Sequence, residues 1–197
     1  LSSFMIIYIG TDLFAWLFEA AFFIPLPILI GVSGFVAMLV TLSESNSSRG
    51  SDNFSVPIIA ALSYDLYLIN YTHGQLSNLL IWSIFSGIAF YLAFKYKSLN
   101  KSGVIAAYIM GILIFGAGGL KWVTPIVVFF ILSSIISKLS KTNNEIHKGS
   151  KRDIIQVLAN GGIATIISII NFYSPNENLY IIYLAVIAAA TADTWAS

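Results

Sequence analysis

The chain has 197 residues, of which 57% are hydrophobic and only 10% charged, and its mean hydropathy is +0.84. A soluble domain carries about 25% charged residues, so a soluble enzyme, a nucleic-acid binder and a disordered tail are excluded. The net charge of +1 makes no field for a polyanion, and a chain without cysteine has no disulfide, thiolate nucleophile or cysteine zinc site. These limits leave an all-α, polytopic transmembrane helix bundle embedded in a lipid bilayer.

A spanning helix needs about 20 largely apolar residues. Taken in chain order, the predicted helices are 4–18, 22–42, 56–71, 76–94, 103–117, 122–137, 154–171 and 179–195. That makes seven or eight, because 4–18 contains Asp12, runs into Glu19 and reads equally as a re-entrant segment. Barrel strands would alternate over about 10 residues, and the continuous run from Ile126 to Leu132 does not. The chain starts at Leu1 within an apolar stretch, shows no signal-peptide pattern, and stops directly after a polar run. It is expected to be an internal slice of a longer protein.

The ten basic residues set the expected orientation. Arg49 falls between the second and third helices, and Lys95, Lys97 and Lys101 between the fourth and fifth. Lys138, Lys141, Lys148, Lys151 and Arg152 fall between the sixth and seventh. With alternating helices these loops share one face, and only Lys121 lies opposite. By the positive-inside rule, loops 43–54, 95–101 and 138–153 are expected to be cytoplasmic.

Two polar stretches stand out on that side. Asp153, Gln156 and Asn160 share one helix face, descending from the basic loop to the pair Gly161-Gly162. A basic loop above a polar stripe suits phosphate, although Gln156 and Asn160 also suit plain hydrogen bonds between helices. The second stretch is Ala188-Ala189-Ala190-Thr191-Ala192-Asp193-Thr194-Trp195-Ala196-Ser197. Its carboxylate among hydroxyls fits Mg²⁺, which takes one or two carboxylates together with phosphate oxygens and water. The plain alternative is a polar helix end packed through its small residues. Gly116-Ala117-Gly118-Gly119-Leu120-Lys121 lacks the spacing and the following Ser or Thr of a phosphate loop, and reads as a tight turn. Ser133, Ser134, Ser137 and Lys138 either cap a helix end or contact phosphate.

These residues carry a resemblance. Leu99-Asn100-Lys101-Ser102-Gly103, Gly116-Ala117-Gly118-Gly119, and Phe129-Phe130 ahead of Ser133-Ser134 look like the start of the integral membrane family called domain of unknown function 92. Gln156-Val157-Leu158-Ala159-Asn160-Gly161-Gly162 and Ala190 to Ser197 resemble its two most recognisable stretches. The family includes transmembrane protein 19 and the plant phytyl-phosphate kinase. The likeness covers roughly residues 97–197. In the first half, Thr41-Leu42-Ser43-Glu44 and Ser51-Asp52-Asn53-Phe54-Ser55-Val56-Pro57 are similar to the C-terminal signature of the phytol and dolichol kinases, in the phosphatidate cytidylyltransferase superfamily.

The resemblance implies two parts, 1–96 ending one prenol-kinase-like membrane domain and 97–197 beginning a second, neither expected to be active as it stands. It implies CTP-dependent phosphoryl transfer to an isoprenoid alcohol or isoprenyl monophosphate at the cytoplasmic membrane face. The partners are then a nucleotide and an isoprenoid lipid. Asp193, with Asp52 and Glu44, becomes the candidate catalytic set, Asp193 also as the Mg²⁺ ligand. Lys148, Arg152, Asn160, Gln156, Asn53, Thr194 and Ser197 become the candidate nucleotide and phosphate contacts. The rival readings are a multi-pass transporter, for which Pro25, Pro27, Asp65 and Gly161-Gly162 speak as helix breaks and membrane polarity, and a non-catalytic membrane protein.

Overall fold

A computed structural model of the chain describes residues 5, 9, 24–47, 50–139 and 152–196, the side chains of 137–139 excepted. Six helical elements occupy the described region after residue 24. They are α1 (Leu26–Ser45), α2 (Asp52–Thr72), α3 (Leu76–Lys95), α4 (Lys101–Leu139), α5 (Ile154–Tyr173) and α6 (Glu177–Ala196). The chain divides into two compact units, Leu1–Leu76 and Ser77–Ser197. The predicted helix 4–18, with Asp12 and Glu19, lies outside the described residues.

In the first unit, Pro25 stands at the N-cap of α1 with Pro27 in its first turn, where a missing N–H costs nothing. α1 and α2 run antiparallel, because Tyr67 near the end of α2 packs on Gly31 and Phe35 near the start of α1. A methyl group at Gly31 would meet the Tyr67 hydroxyl, so the glycine makes this close approach possible. Leu29, Val32, Val36, Leu39 and Leu66 complete the buried seam. Where the sequence predicts a span over 56–71, the helix forms but starts at Asp52. It is not among the five helices that, among the described residues, are long and apolar enough to cross a membrane, namely α1, α3, α4, α5 and α6. Asp65, Asn70 and the three tyrosines Tyr64, Tyr67 and Tyr71 lower its apolar content.

In the second unit, α4 is two helices that meet at Gly119. Gly119 has φ 65° and ψ −157°, a backbone region reserved for glycine. The chain reverses there. Gly103 packs against the Arg152 carbonyl, while the Phe130 ring lies beneath the Arg152 guanidinium. In an unbroken helix residues 103 and 130 would stand about 40 Å apart, out of reach of one arginine. The limbs before and after Gly119 are each about 27–30 Å long, the thickness of a bilayer core. The glycine cluster is therefore the tight turn that the sequence predicts, and the two spans either side of it are present.

The core of this unit joins Ile114, Trp122, Val123 and Phe129 of α4 to Ala164 and Ile167 of α5 and Tyr183 and Ile187 of α6. Pro125 removes the N–H that would have bonded the Lys121 carbonyl one turn back. The Tyr180 hydroxyl donates to that carbonyl instead, at 3.2 Å, and the Tyr183 hydroxyl donates to the carbonyl of Trp122. Trp82 stacks on Phe115 at 4.8 Å and donates its indole N–H to the Gly111 carbonyl, fastening α3 to the first limb of α4. Buried hydroxyls bond back to their own helices, Ser83 to Leu79 and Thr165 to Gly161, as a lipid environment requires of polar groups.

Candidate functional site

One end of the second unit gathers the residues singled out from the sequence. The motif Leu99-Asn100-Lys101-Ser102-Gly103 is a clamp on the segment entering α5. The Asn100 side chain accepts from the Gly103 amide at 2.8 Å and from the Ser102 hydroxyl at 2.9 Å, capping α4. The Ser102 hydroxyl in turn accepts from the Ile154 amide at 3.3 Å. Leu99 is fully buried and pairs with Arg152 as an isolated bridge, with Asn100 N donating to Arg152 O and Arg152 N to Ser98 O. Gly103 carries no side chain because a Cβ there would run into the Arg152 carbonyl. Leu99, Asn100, Ser102 and Gly103 thus all bear on the position of Arg152 and the residues beside it.

The Arg152 side chain is the unusual feature of the unit. Both terminal guanidinium nitrogens are shut off from solvent, and neither has a hydrogen-bond partner among the described residues. Burial pushes the guanidinium pKa down from its ordinary value. The guanidinium lies over the Phe130 ring, whose centroid is 5.6 Å from Cζ, a cation–π interaction of about 0.5–2 kcal/mol. That offsets only part of the several kcal/mol that desolvating an unpaired charge costs. Ser134, one turn beyond Phe130 on the same helix face, likewise has a buried hydroxyl without a partner among the described residues. Ser133 beside it accepts from the Trp195 indole at 3.2 Å, which brings the last turn of α6, and so Asp193, to this end.

A cavity of about 200 Å³ extends from Arg152 into the unit. Trp82, Phe85 and Phe90 of α3, Ala107 and Met110 of the first limb, Phe129 and Phe130 of the second, and Asn160 and Gly161 of α5 line it. Its wall is almost wholly apolar, and Ser86, Arg152 and Asn160 supply its polar side chains.

The remaining candidates fall as follows. Asp153 is the N-cap of α5, its carboxylate accepting from the Gln156 amide at 3.0 Å, so the head of the predicted stripe is structural. Gln156 is exposed, whereas Asn160 is half-buried at the cavity. Asp193 is exposed in the last turn of α6, and the Thr194 hydroxyl bonds the Ala190 carbonyl at 2.8 Å. Glu44, Asp52 and Asn53 belong to the first unit, Glu44 in the last turn of α1 and the other two opening α2. Pro57 deprives the Asn53 carbonyl of its helical partner. Lys148, Ser197, Arg49 and Glu145 lie outside the described residues. Among the described residues no three His, Cys, Asp or Glu side chains meet as a metal cage. Sequence reading missed the cavity and Phe130, because apolar residues on four helices look like ordinary core until the helices are assembled.

The model of the family described as Integral membrane protein DUF92 matches residues 84–197. An uncharacterized membrane protein of Methanocaldococcus jannaschii is 34% identical over 105 residues, which is 52% of this chain and 44% of that protein. Protein PGR of Arabidopsis thaliana is 33% identical over 92 residues, covering 44% of this chain and 32% of that protein. The chain thus matches less than half the length of either relative. No solved structure gives a significant match. With multiple apolar helices and more than half its length inside the family model, this multi-pass membrane protein belongs to the DUF92 integral membrane family.

Proposed function

We propose that the chain is part of a membrane phosphotransferase that passes phosphate from CTP to an isoprenoid alcohol or isoprenyl monophosphate at the cytoplasmic face. The observation that carries this reading is the Arg152 guanidinium, buried at the end of a membrane unit and without an anion among the described residues. A cation held that way by its backbone clamp suits a phosphate that arrives with a ligand. Asp193, brought to the same end by the bond from Trp195 to Ser133, would hold Mg²⁺ together with nucleotide phosphates. Mg²⁺ bound to a nucleotide needs only one or two protein carboxylates. The metal would neutralise charge on the transferring phosphoryl group. Asn160 at the cavity would orient the lipid phosphate, and Lys148 and Gln156 would serve as phosphate and nucleotide contacts. Thr194 and Ser197 belong to that same stretch. Glu44, Asp52 and Asn53 of the first unit would serve the end of a preceding, related domain, as the two-part organisation implies.

The test is CTP-dependent phosphorylation of phytyl monophosphate by membranes carrying the intact protein. Asp193→Asn keeps the size of the side chain and removes the charge a metal needs, so turnover should vanish while expression persists. Arg152→Ala should raise KM for the lipid rather than abolish kcat. Turnover like that of the wild type in Asp193→Asn would take Asp193 out of the mechanism.

A further inference from the structure

We infer that the cavity behind Arg152 is the seat of one hydrocarbon chain of a phosphorylated single-chain lipid, whose phosphate is held by the guanidinium. The identity of the anion rests on the phosphotransferase reading; the site itself rests on the geometry. The cavity spans the level of Ala107 to that of Ile114 along the first limb of α4, roughly 10 Å of helix rise. Its 200 Å³ equals about seven water-sized groups at about 30 Å³ each. It therefore admits the first several carbons of one chain and has no room for a second chain beside it. The wall is aromatic and aliphatic, with Trp82, Phe90, Met110 and Phe129 at contact with any chain inside. An empty apolar chamber forfeits the dispersion contacts that a chain restores.

The route of entry is also visible. Phe85 and Ile131 line the cavity yet are 59% and 50% exposed. The wall between α3 and the second limb of α4 thus reaches the surface of the unit at apolar residues, open to a lipid arriving sideways from the bilayer. The headgroup then meets Arg152 at the unit's polar end, and Asn160 lines the same cavity. Phosphate supplies hydrogen-bond acceptors for the two buried guanidinium nitrogens, which find none among the described residues.

The experiment is photolabelling of the intact protein in nanodiscs with a prenyl monophosphate bearing a diazirine on its first isoprene unit, without nucleotide. Adducts are expected on the lining residues Phe85, Ala107, Met110 or Phe129. Arg152→Gln should cut labelling about 10- to 100-fold, the worth of a charge-assisted contact. Ala107→Leu, which fills the chamber, should do likewise, and Ala89→Leu on the exposed side of α3 provides a second filling variant. Unlabelled prenyl monophosphate should compete, and inorganic phosphate or two-chain phosphatidic acid should not. Adducts elsewhere, competition by phosphatidic acid as strong as by the prenyl phosphate, or labelling indifferent to both Arg152→Gln and the filling variants would overturn the site. Because no nucleotide is present, labelling without turnover would refute the kinase reading alone. Turnover with labelling outside the cavity would refute the site alone.

Discussion

The guanidinium of Arg152 rests over the ring of Phe130, 5.6 Å from its centroid, although the two residues sit on segments that meet only because α4 turns back at Gly119. Without that reversal the cation would have neither its ring nor its cavity. This one contact links the fold to the proposed chemistry, and it makes an energetic statement as well. A desolvated charge lacking a hydrogen-bond partner lowers stability. Arg152→Met should therefore leave the protein as stable as before, or stabilise it by about 1–4 kcal/mol, while lipid-phosphate binding falls. Thermal unfolding in detergent, compared with binding of prenyl monophosphate, measures both. A large loss of stability would mean that the guanidinium is satisfied in the folded protein.

The reversal itself depends on Gly119. Nothing lies within 4 Å of a Cβ built there, so the cost of Gly119→Ala is purely that of the backbone, about 1–3 kcal/mol. An unfolding midpoint unchanged by the substitution would argue against the sharp turn between the limbs.

At the opposite end, Tyr180 and Pro125 should be coupled. Tyr180→Phe leaves the Lys121 carbonyl without its donor and should cost about 0.5–1.5 kcal/mol. In a Pro125→Ala background the helical N–H returns to that carbonyl, and the same change should cost little. A double-mutant cycle reads the difference, and strict additivity would separate the two residues.

Gly103→Ala should destabilise by about 1–3 kcal/mol, because its new methyl group meets the backbone of Arg152 rather than a side chain that can swing away. It should also weaken lipid-phosphate binding by displacing Arg152. Full binding in a destabilised variant would show that the clamp does not position the cation.

The expected orientation rests on nine of the ten basic residues falling in loops that share one face if the helices alternate. A cysteine introduced as Lys148→Cys should react only from the cytoplasmic side, and one introduced as Pro175→Cys only from the other. Labelling of both from one side would contradict the helix count between them.

Much of the fold is legible in the sequence because lipid allows so little choice. Uncharged runs of about 20 residues become helices, and α3, α5 and α6 begin and end within a few residues of the expected positions. The turn at Gly119 is legible from its glycines. The site is less so. Asp153 looks like part of a ligand stripe, but an acidic residue just ahead of an apolar run is also an ordinary N-cap, and here that is its role. The motif around Asn100 is recognisable as a signature, yet its purpose depends on Arg152, 52 residues beyond Asn100, and no local rule connects them. The cavity cannot be read at all from periodicity, since its wall residues occupy ordinary core positions on separate helices.

The central claim is that the end bearing Arg152 and Asp193 serves phosphate transfer to a lipid. Vesicles containing the intact wild-type protein, supplied with prenyl monophosphate, Mg²⁺ and CTP radiolabelled in its γ-phosphate, test it most directly. Label should appear in prenyl diphosphate, only when the protein is present and the nucleotide is on the cytoplasmic side. Absence of labelled lipid in vesicles whose protein still binds prenyl monophosphate would contradict the claim and leave a lipid-phosphate carrier in its place.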